Sequence, residues 1–374
     1  MRNTSTKFTS IAGRPGRAII LGVAVMAVGA VTMSTASAAV TPFGPEVVAA
    51  GACGLGGGEA TTAPDGSFRG FAECDWTNAP IRFFSRTAAG VENPSETSGF
   101  RGKVLGVTAD TTATYVLFRT ATTISIGKRT NAGAYSSRAI DTWNGVGGPT
   151  GDVVAKDGRW FAVWSKQIGP GGEYADYELF QAGSVEPFRR ITTRPDLDDL
   201  EPALAYSGTI PVLVWSRLQT PAVPGPSDLW VAKYLNGGWQ SRVFASLGTH
   251  NDRPDIATAG GLTFITWARD YRNIVVAGNR SGSFVSHTFL TPGQAPKVAA
   301  SATAGPVDHV YTAWSDADHG HAFFAETASS DAVSGWQGTF LTNSAVDVYG
   351  LDSQAGKAVV AYSTDVDVRL RAQI

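Results

Sequence analysis

The sequence predicts an all-β chain folded as a single β-propeller of seven four-stranded blades (six as the fallback), closed by an N-terminal strand. Three observations predict it. A motif recurs roughly every fifty residues, glycine turns follow it at fixed offsets, and nearly every copy carries an aromatic anchor.

The motif is plainest in mid-chain. Glu201-Pro202-Ala203-Leu204-Ala205, a Ser-Gly turn and Val212-Leu213-Val214-Trp215-Ser216-Arg217 return as Arg253-Pro254-Asp255-Ile256-Ala257, a Gly-Gly turn and Phe264-Ile265-Thr266-Trp267-Ala268-Arg269. A third copy joins Ala295-Pro296-Lys297-Val298-Ala299 to Tyr311-Thr312-Ala313-Trp314-Ser315-Asp316, and an upstream one joins Gly151-Asp152 to Phe161-Ala162-Val163-Trp164-Ser165-Lys166. Weaker copies end at Phe118 and Tyr362. The anchors Phe118, Trp164, Trp215, Trp267, Trp314 and Tyr362 are 46, 51, 52, 47 and 48 residues apart, the length of one blade. Downstream, a strand such as Leu229-Trp230-Val231-Ala232-Lys233 runs into a turn at Gly237, matched by Gly133, Gly282 and Gly335. Glycine there supplies the positive φ of a hairpin, and an aromatic residue opens the outer strand. Each unit therefore reads as strands A to D with the anchor on strand B, which places the tryptophans in inter-blade core rather than against a sugar.

The ends complete the ring. Phe68 to Cys74 and Ile81 to Arg86 resemble strands B and C of the last unit, and Cys74 lies 44 residues before Phe118. Strand A of this first blade is expected at Glu46 to Ala50, with Cys53 on or just after it. The last unit stops at Ile374 after its third strand, so Val40 to Phe43 is expected to add the fourth and cover the open edge.

Residues 1–38 read as an export leader and 39–374 as the propeller. Arg2, Lys7, Arg14 and Arg17 precede an apolar run from Ala18 to Val31, too short and Gly-interrupted for a membrane anchor, and Ala36-Ser37-Ala38 is a small-x-small cleavage site. Without adjacent arginines, the general secretory route is expected. The full chain has 30 Lys+Arg and 32 Asp+Glu; losing the leader's four cations leaves 26 against 32. A mildly acidic surface without basic runs excludes nucleic acid and anionic membranes as natural partners. Export also makes a Cys53–Cys74 disulfide the expectation for the two cysteines, a metal pair or reactive thiol being the alternative. It would tie strands A and B of the first blade, in place of the missing tryptophan. Arginine outnumbers lysine 22 to 8 in an Ala-, Gly-, Val- and Thr-rich chain, as high-GC genomes such as those of actinobacteria favour.

In a propeller the D–A and B–C loops share the face around the channel mouth, and loops on a rigid scaffold are where binding concentrates. The B–C loops bring Lys166, Arg217, Arg269, Asp270, Asp316 and Asp365. The D–A loops bring Arg194, Asp196, Asp198, Asp199 and Glu201 in one blade, and His250, Asn251, Asp252 and Arg253 in the next. Strand A adds Asp152, Asp255 and Lys297 near the channel. Asp316-Ala317-Asp318-His319-Gly320-His321 and Asp365-Val366-Asp367 hold oxygen ligands suited to calcium and imidazoles suited to a transition metal. Neither is a complete ligand loop, so polar turns and no cofactor are expected.

The repeated Pro-x-(Leu/Ile)-Ala … Val-x-Trp-Ser pattern resembles that of secreted bacterial propellers of the broad sialidase-like, BNR-repeat group, over nearly the whole mature chain. Only Ser329 to Trp336 approaches the Ser-x-Asp-x-Gly-x-Thr-Trp box of sialidases, without its central Gly or Thr, and the Arg-Ile-Pro segment is absent. The resemblance implies two functions. A sialidase-like exo-glycosidase would need three arginines, for which Arg217, Arg253 and Arg269 are available, with Asp255 or Asp316 as acid and Tyr174 or Tyr271 as nucleophile. A seventh blade counts against it, since active sialidases use six. No nucleophile elbow, metallopeptidase helix, phosphate loop or dinucleotide fingerprint is present. The preferred expectation is a non-enzymatic binding or adaptor propeller recognising a protein partner or surface glycan. On fold, length and export it is also similar to the lectin-like components of antibacterial, umbrella-shaped toxin particles of actinobacteria.

Overall fold

The structure is a computed structural model describing residues 28–30 and 40–374, except 52, 54–56, 75–78, 146, 169–175, 194–196, 219–225, 246–247, 281–282, 303–306, 308, 317–319, 329–331, 333, 346 and 355. It is a ring of seven four-stranded antiparallel sheets. The innermost strands (A) are Gly58–Thr62, Lys103–Ala109, Thr150–Lys156, Asp198–Ser207, Asn251–Ala259, Gln294–Ser301 and Asp347–Gln354 in blades 1 to 7. Each packs beside the next, and the last returns to the first.

Strand B is covered on both faces by neighbouring blades, so its sequence is a continuous apolar run rather than an alternation. All six anchors lie on it and are buried. The outer strands face water; Tyr135–Thr142 has mostly exposed or half-buried side chains. Trp215 stacks on Trp230 at 5.9 Å, and Trp314 lies between Phe289 and Phe323 at 5.1 and 5.7 Å. Gly293 permits the second arrangement, because a Cβ there would sit 2.1 Å from the Trp314 ring.

An N-terminal strand does close the ring, but it is not Val40 to Phe43. Val47–Gly51 pairs antiparallel with Asp367–Ala372 as strand D of blade 7. The expected closing segment makes a single bridge, Phe43 to Gln373, and packs Phe43 edge-on against Phe324. Strand A of blade 1 is accordingly Gly58–Thr62, and not Glu46 to Ala50. The physical reason is burial. Strand A lines a polar channel and reads Gly-Glu-Ala-Thr-Thr, with no apolar signature, whereas Ala49 and Ala50 bury against blades 7 and 1.

The Cys53–Cys74 disulfide is present. It does not tie strands A and B of one blade. Cys53 follows the closing strand and Cys74 follows strand B of blade 1, so the bond crosses the seam where the ring closes. Val28–Ala30 lies parallel along the outer strand of blade 5, Ser283–Phe289. No helix among the described residues is long and apolar enough to cross a membrane.

A bond across 21 residues removes about 3 kcal/mol of chain entropy from the unfolded state. Replacing both cysteines by serine should therefore lower unfolding stability by about 2–4 kcal/mol in urea titrations, with the blade 7–blade 1 seam losing amide protection first.

Candidate functional site

Every strand A begins at the face where D–A loops enter and B–C loops leave. Together the inner strands enclose a cavity of about 700 Å³ whose lining includes Glu59, Asp152, Asp255, Lys297, Asp347 and Asp352, with Lys103, Arg119, Glu201 and Arg253.

An innermost strand has no partner on its channel side, and its backbone donors need acceptors. Side chains of the preceding blade supply them. Asp152 Oδ2 accepts from Leu204 N (2.7 Å), Asp255 Oδ2 from Val298 N (2.7 Å) and Asp352 Oδ2 from Thr62 N (2.6 Å). Thr108 Oγ1 does the same for Ala155 N at 3.2 Å. Gly106 allows blades 2 and 3 to approach this closely, since a Cβ there would lie 2.6 Å from Asp152 Oδ1. Lys297 balances the acids, donating to Glu59 at 2.6 Å. Glu59, Asp255 and Asp152 raise its pKa against the opposing effect of burial, so it stays charged. Burial pushes Asp152 up to about 7, and it raises Asp255, Asp352 and Asp347 as well.

The mouth is built by bulges. In blades 4, 5 and 6 the A–B register slips between Leu200 and Ala203, Asp252 and Asp255, and Gln294 and Lys297. The extra residue is Glu201, Arg253 or Ala295, each before proline and each at positive φ (53°, 47° and 44°). Proline has no N–H to lose where the ladder breaks. Glu201 N donates to Thr150 Oγ1 (3.1 Å), Arg253 N to Glu201 Oε2 (2.5 Å), and Arg253 Nη1 to Gln294 Oε1 (3.3 Å). Blades 3 to 6 are thereby linked around the rim. Burial raises the pKa of Glu201, and the Asp252 charge adds to this.

Other predicted face residues are turned inward. Asp199 is fully buried, accepting from Trp215 Nε1 (2.7 Å) and from Arg217 Nε and Nη2 (2.6 and 2.9 Å). Arg217 also lies 4.2 Å over Trp230. These two charges brace blade 4. Lys166 is likewise engaged with Asp141 at 2.6 Å, and Asp141 accepts from Trp164 Nε1. Asp316 is buried, Asp365 is exposed on its own turn, and Arg194 lies outside the described residues, as do Asp196, Tyr174, Asp318 and His319. His321 packs edge-on against Phe340 and Phe323. No group of three or more His, Cys, Asp or Glu residues able to hold a metal occurs among the described residues.

The structure brings Glu201, Asp252, Arg253, Arg269 and Asp270 into one rim sector, and Asp152, Asp255 and Lys297 into the channel. Sequence reasoning missed Glu59, because strand A of blade 1 was placed too early. It also missed Asp352 and Asp347, which sit on the weakly marked strand A of blade 7. The rim aromatic pair, Tyr271 stacked on His250 at 4.2 Å, carried no spacing signal.

These features define a seven-bladed β-propeller with a polar central cavity whose charges are paired across blade seams. No family model matches the sequence, and no curated protein matches it. Solved structures with a similar course include the α-L-arabinofuranosidase Arb93A from Fusarium graminearum (11% identity, 88% of this chain and 97% of that one, TM-score 0.49). A fungal lectin from Aleuria aurantia, with a six-bladed propeller and a fucose recognition mode, matches at 12% identity over 85% and 91%, TM-score 0.45. The subtype N10 neuraminidase-like protein of a little yellow-shouldered bat influenza virus matches at 11% over 72% and 93%, TM-score 0.45. At such identities the likeness concerns the fold alone.

Asp199→Ala should cost about 3–5 kcal/mol in chemical denaturation, because it strands the buried Arg217 guanidinium. Asp152 gives a pH signature. Its folded pKa exceeds the roughly 3.9 of an unfolded aspartate, so the folded chain holds a proton the unfolded chain has lost. Its contribution is therefore complete below about pH 4 and is lost as pH rises to about 7. Asp152→Asn, which keeps an acceptor for Leu204, should flatten the fall in stability over that range by about 1–2 kcal/mol, read from melting temperatures at successive pH values.

Proposed function

We propose that this chain is an exported, non-enzymatic recognition or adaptor propeller that holds a protein partner or surface glycan on the face around the channel mouth. The observation that carries this reading is how the charges of that face are spent. Arg217, one of the three arginines a sialidase-like site requires, is locked in a buried two-bond pair with Asp199. Arg253 is turned onto Glu201. What stays accessible is a rigid polar rim, with Arg253, Asp270 and Tyr271 exposed above a cavity of about 700 Å³. A rim of this kind suits recognition by hydrogen bonds and aromatic contact.

Export through a leader at residues 1–38 belongs to the same proposal, supported by the leader's composition and by the disulfide, which persists in oxidising compartments. A place in an extracellular antibacterial assembly fits the proposal; its support is the chain's length, its leader and its blade count.

The mature chain, 39–374, immobilised against the culture supernatant of its producer and against a glycan array, should retain one stoichiometric protein or one glycan class. Arg253→Glu should reduce that retention at least tenfold. Turnover of a fluorogenic sialoside that disappears in Arg253→Ala would overturn the non-enzymatic reading.

A further inference from the structure

The seam between blades 4 and 5 concentrates backbone strain and unsatisfied polar groups at one point of the rim. Eight non-glycine residues of the described chain have positive φ, and Glu201, Arg253, Asp270 and Tyr271 are four of them. Asp270 and Tyr271 form the tip of the B–C hairpin of blade 5, a position where glycine or asparagine costs least. Strain of this kind persists where the surroundings hold it, and it clusters at ligand sites.

The hairpin is fixed against the D–A loop. Asp270 N donates to His250 O (2.7 Å), His250 N donates to Asp270 Oδ1 (3.0 Å), and the Tyr271 ring stacks on His250 at 4.2 Å. Tyr271 nevertheless stays 43% exposed. Beside it, Asp252 is only 8% exposed, and its Oδ1 has no hydrogen-bond partner among the described residues. His250 Nε2 lies 3.6 Å from the other oxygen, long for a hydrogen bond. Arg269 Nε and Nη2 are also buried without acceptors among the described residues. A buried acceptor and a buried donor, each left without a hydrogen bond, cost stability.

We propose that this sector is a subsite for a neutral pyranose, stacked by its C–H face on Tyr271 and hydrogen-bonded through adjacent hydroxyls to Asp252, Glu201 and Arg253. The inference rests on the recognition reading above and specifies its ligand. A hydroxyl both donates to a carboxylate and accepts from a guanidinium through a single oxygen atom. Charges of both signs meet here, Glu201, Asp252 and Asp270 with Arg253 and Arg269, so neither an acidic nor a basic sugar finds a site of a single opposite sign.

The test is saturation-transfer NMR with the mature protein and methyl pyranosides of glucose, galactose, mannose and N-acetylglucosamine, with methyl glucuronide and protonated glucosamine as charged probes. At least one neutral glycoside should bind in the millimolar range, with transfer strongest to its ring C–H protons. Tyr271→Ala, an exposed change that leaves the core intact, should weaken it at least tenfold, as should Asp252→Ala. Glu96→Gln, in the separate groove between blades 1 and 2, should leave it unchanged. Melting temperatures confirm that each variant is folded, and Tyr271→Ala alone decides if Asp252→Ala is not. Binding that survives Tyr271→Ala, tenfold tighter binding of a charged probe, or no binding of any neutral glycoside would overturn the assignment. Retention of a protein partner by the mature chain in that last case would leave the recognition reading standing while the saccharide falls.

Discussion

Seven inner strands that cannot pair with one another are the constraint on which this molecule rests. A propeller leaves the channel-side edge of every blade open, and an open edge presents backbone donors that must find acceptors. The chain meets this with side chains reaching across the seams, from Asp152 to Leu204, Asp255 to Val298, Asp352 to Thr62 and Thr108 to Ala155. Each contact satisfies a donor and ties two neighbouring blades together. The same device therefore holds the ring and shapes the channel.

Its electrostatic consequence runs outward to the rim. Carboxylates brought into the channel for backbone donors lose water, which raises their pKa values and requires a compensating cation at Lys297. Higher up, Asp199 and Arg217 are spent bracing Trp215 within blade 4, and Asp141 and Lys166 bracing Trp164 across the seam between blades 2 and 3. Blade 5 departs from this economy. Its tryptophan is capped by Asn251 rather than by a carboxylate (3.0 Å), which leaves Arg269 without the aspartate that Arg217 has in blade 4. The rim is consequently uneven, and at blade 5 an incompletely satisfied sector coincides with an exposed aromatic ring.

The legible part of the fold was carried by burial. Strand B of each blade is apolar because it is covered on both faces, so Trp164, Trp215, Trp267 and Trp314 mark their blades in the sequence alone. Glu46 to Ala50, which belongs to the closing strand, reads as strand A of blade 1, and Gly58–Thr62 is passed over, for the converse reason. The outer closing strand buries alanines and reads as core, while the true inner strand faces a wet channel and reads as loop. The disulfide partners followed from the cysteine count and the expectation of export. What they joined did not, because the bond crosses a seam between the two ends of the ring.

By itself, the sequence determined the blade repeat, the residues of the inter-blade core, closure of the ring by an N-terminal strand and the pairing of its two cysteines. These depend on local apolar periodicity and composition, which need no knowledge of neighbours. Only the tertiary structure decided which strand closes the ring, which charges are consumed in bracing and which remain at the rim. Those outcomes turn on contacts between residues about fifty positions apart, or at opposite ends of the chain, where no periodic signal reaches. Asp199 and Asp252 look alike in their loops; one is sealed under an arginine, and the other keeps an unmet oxygen beside Tyr271.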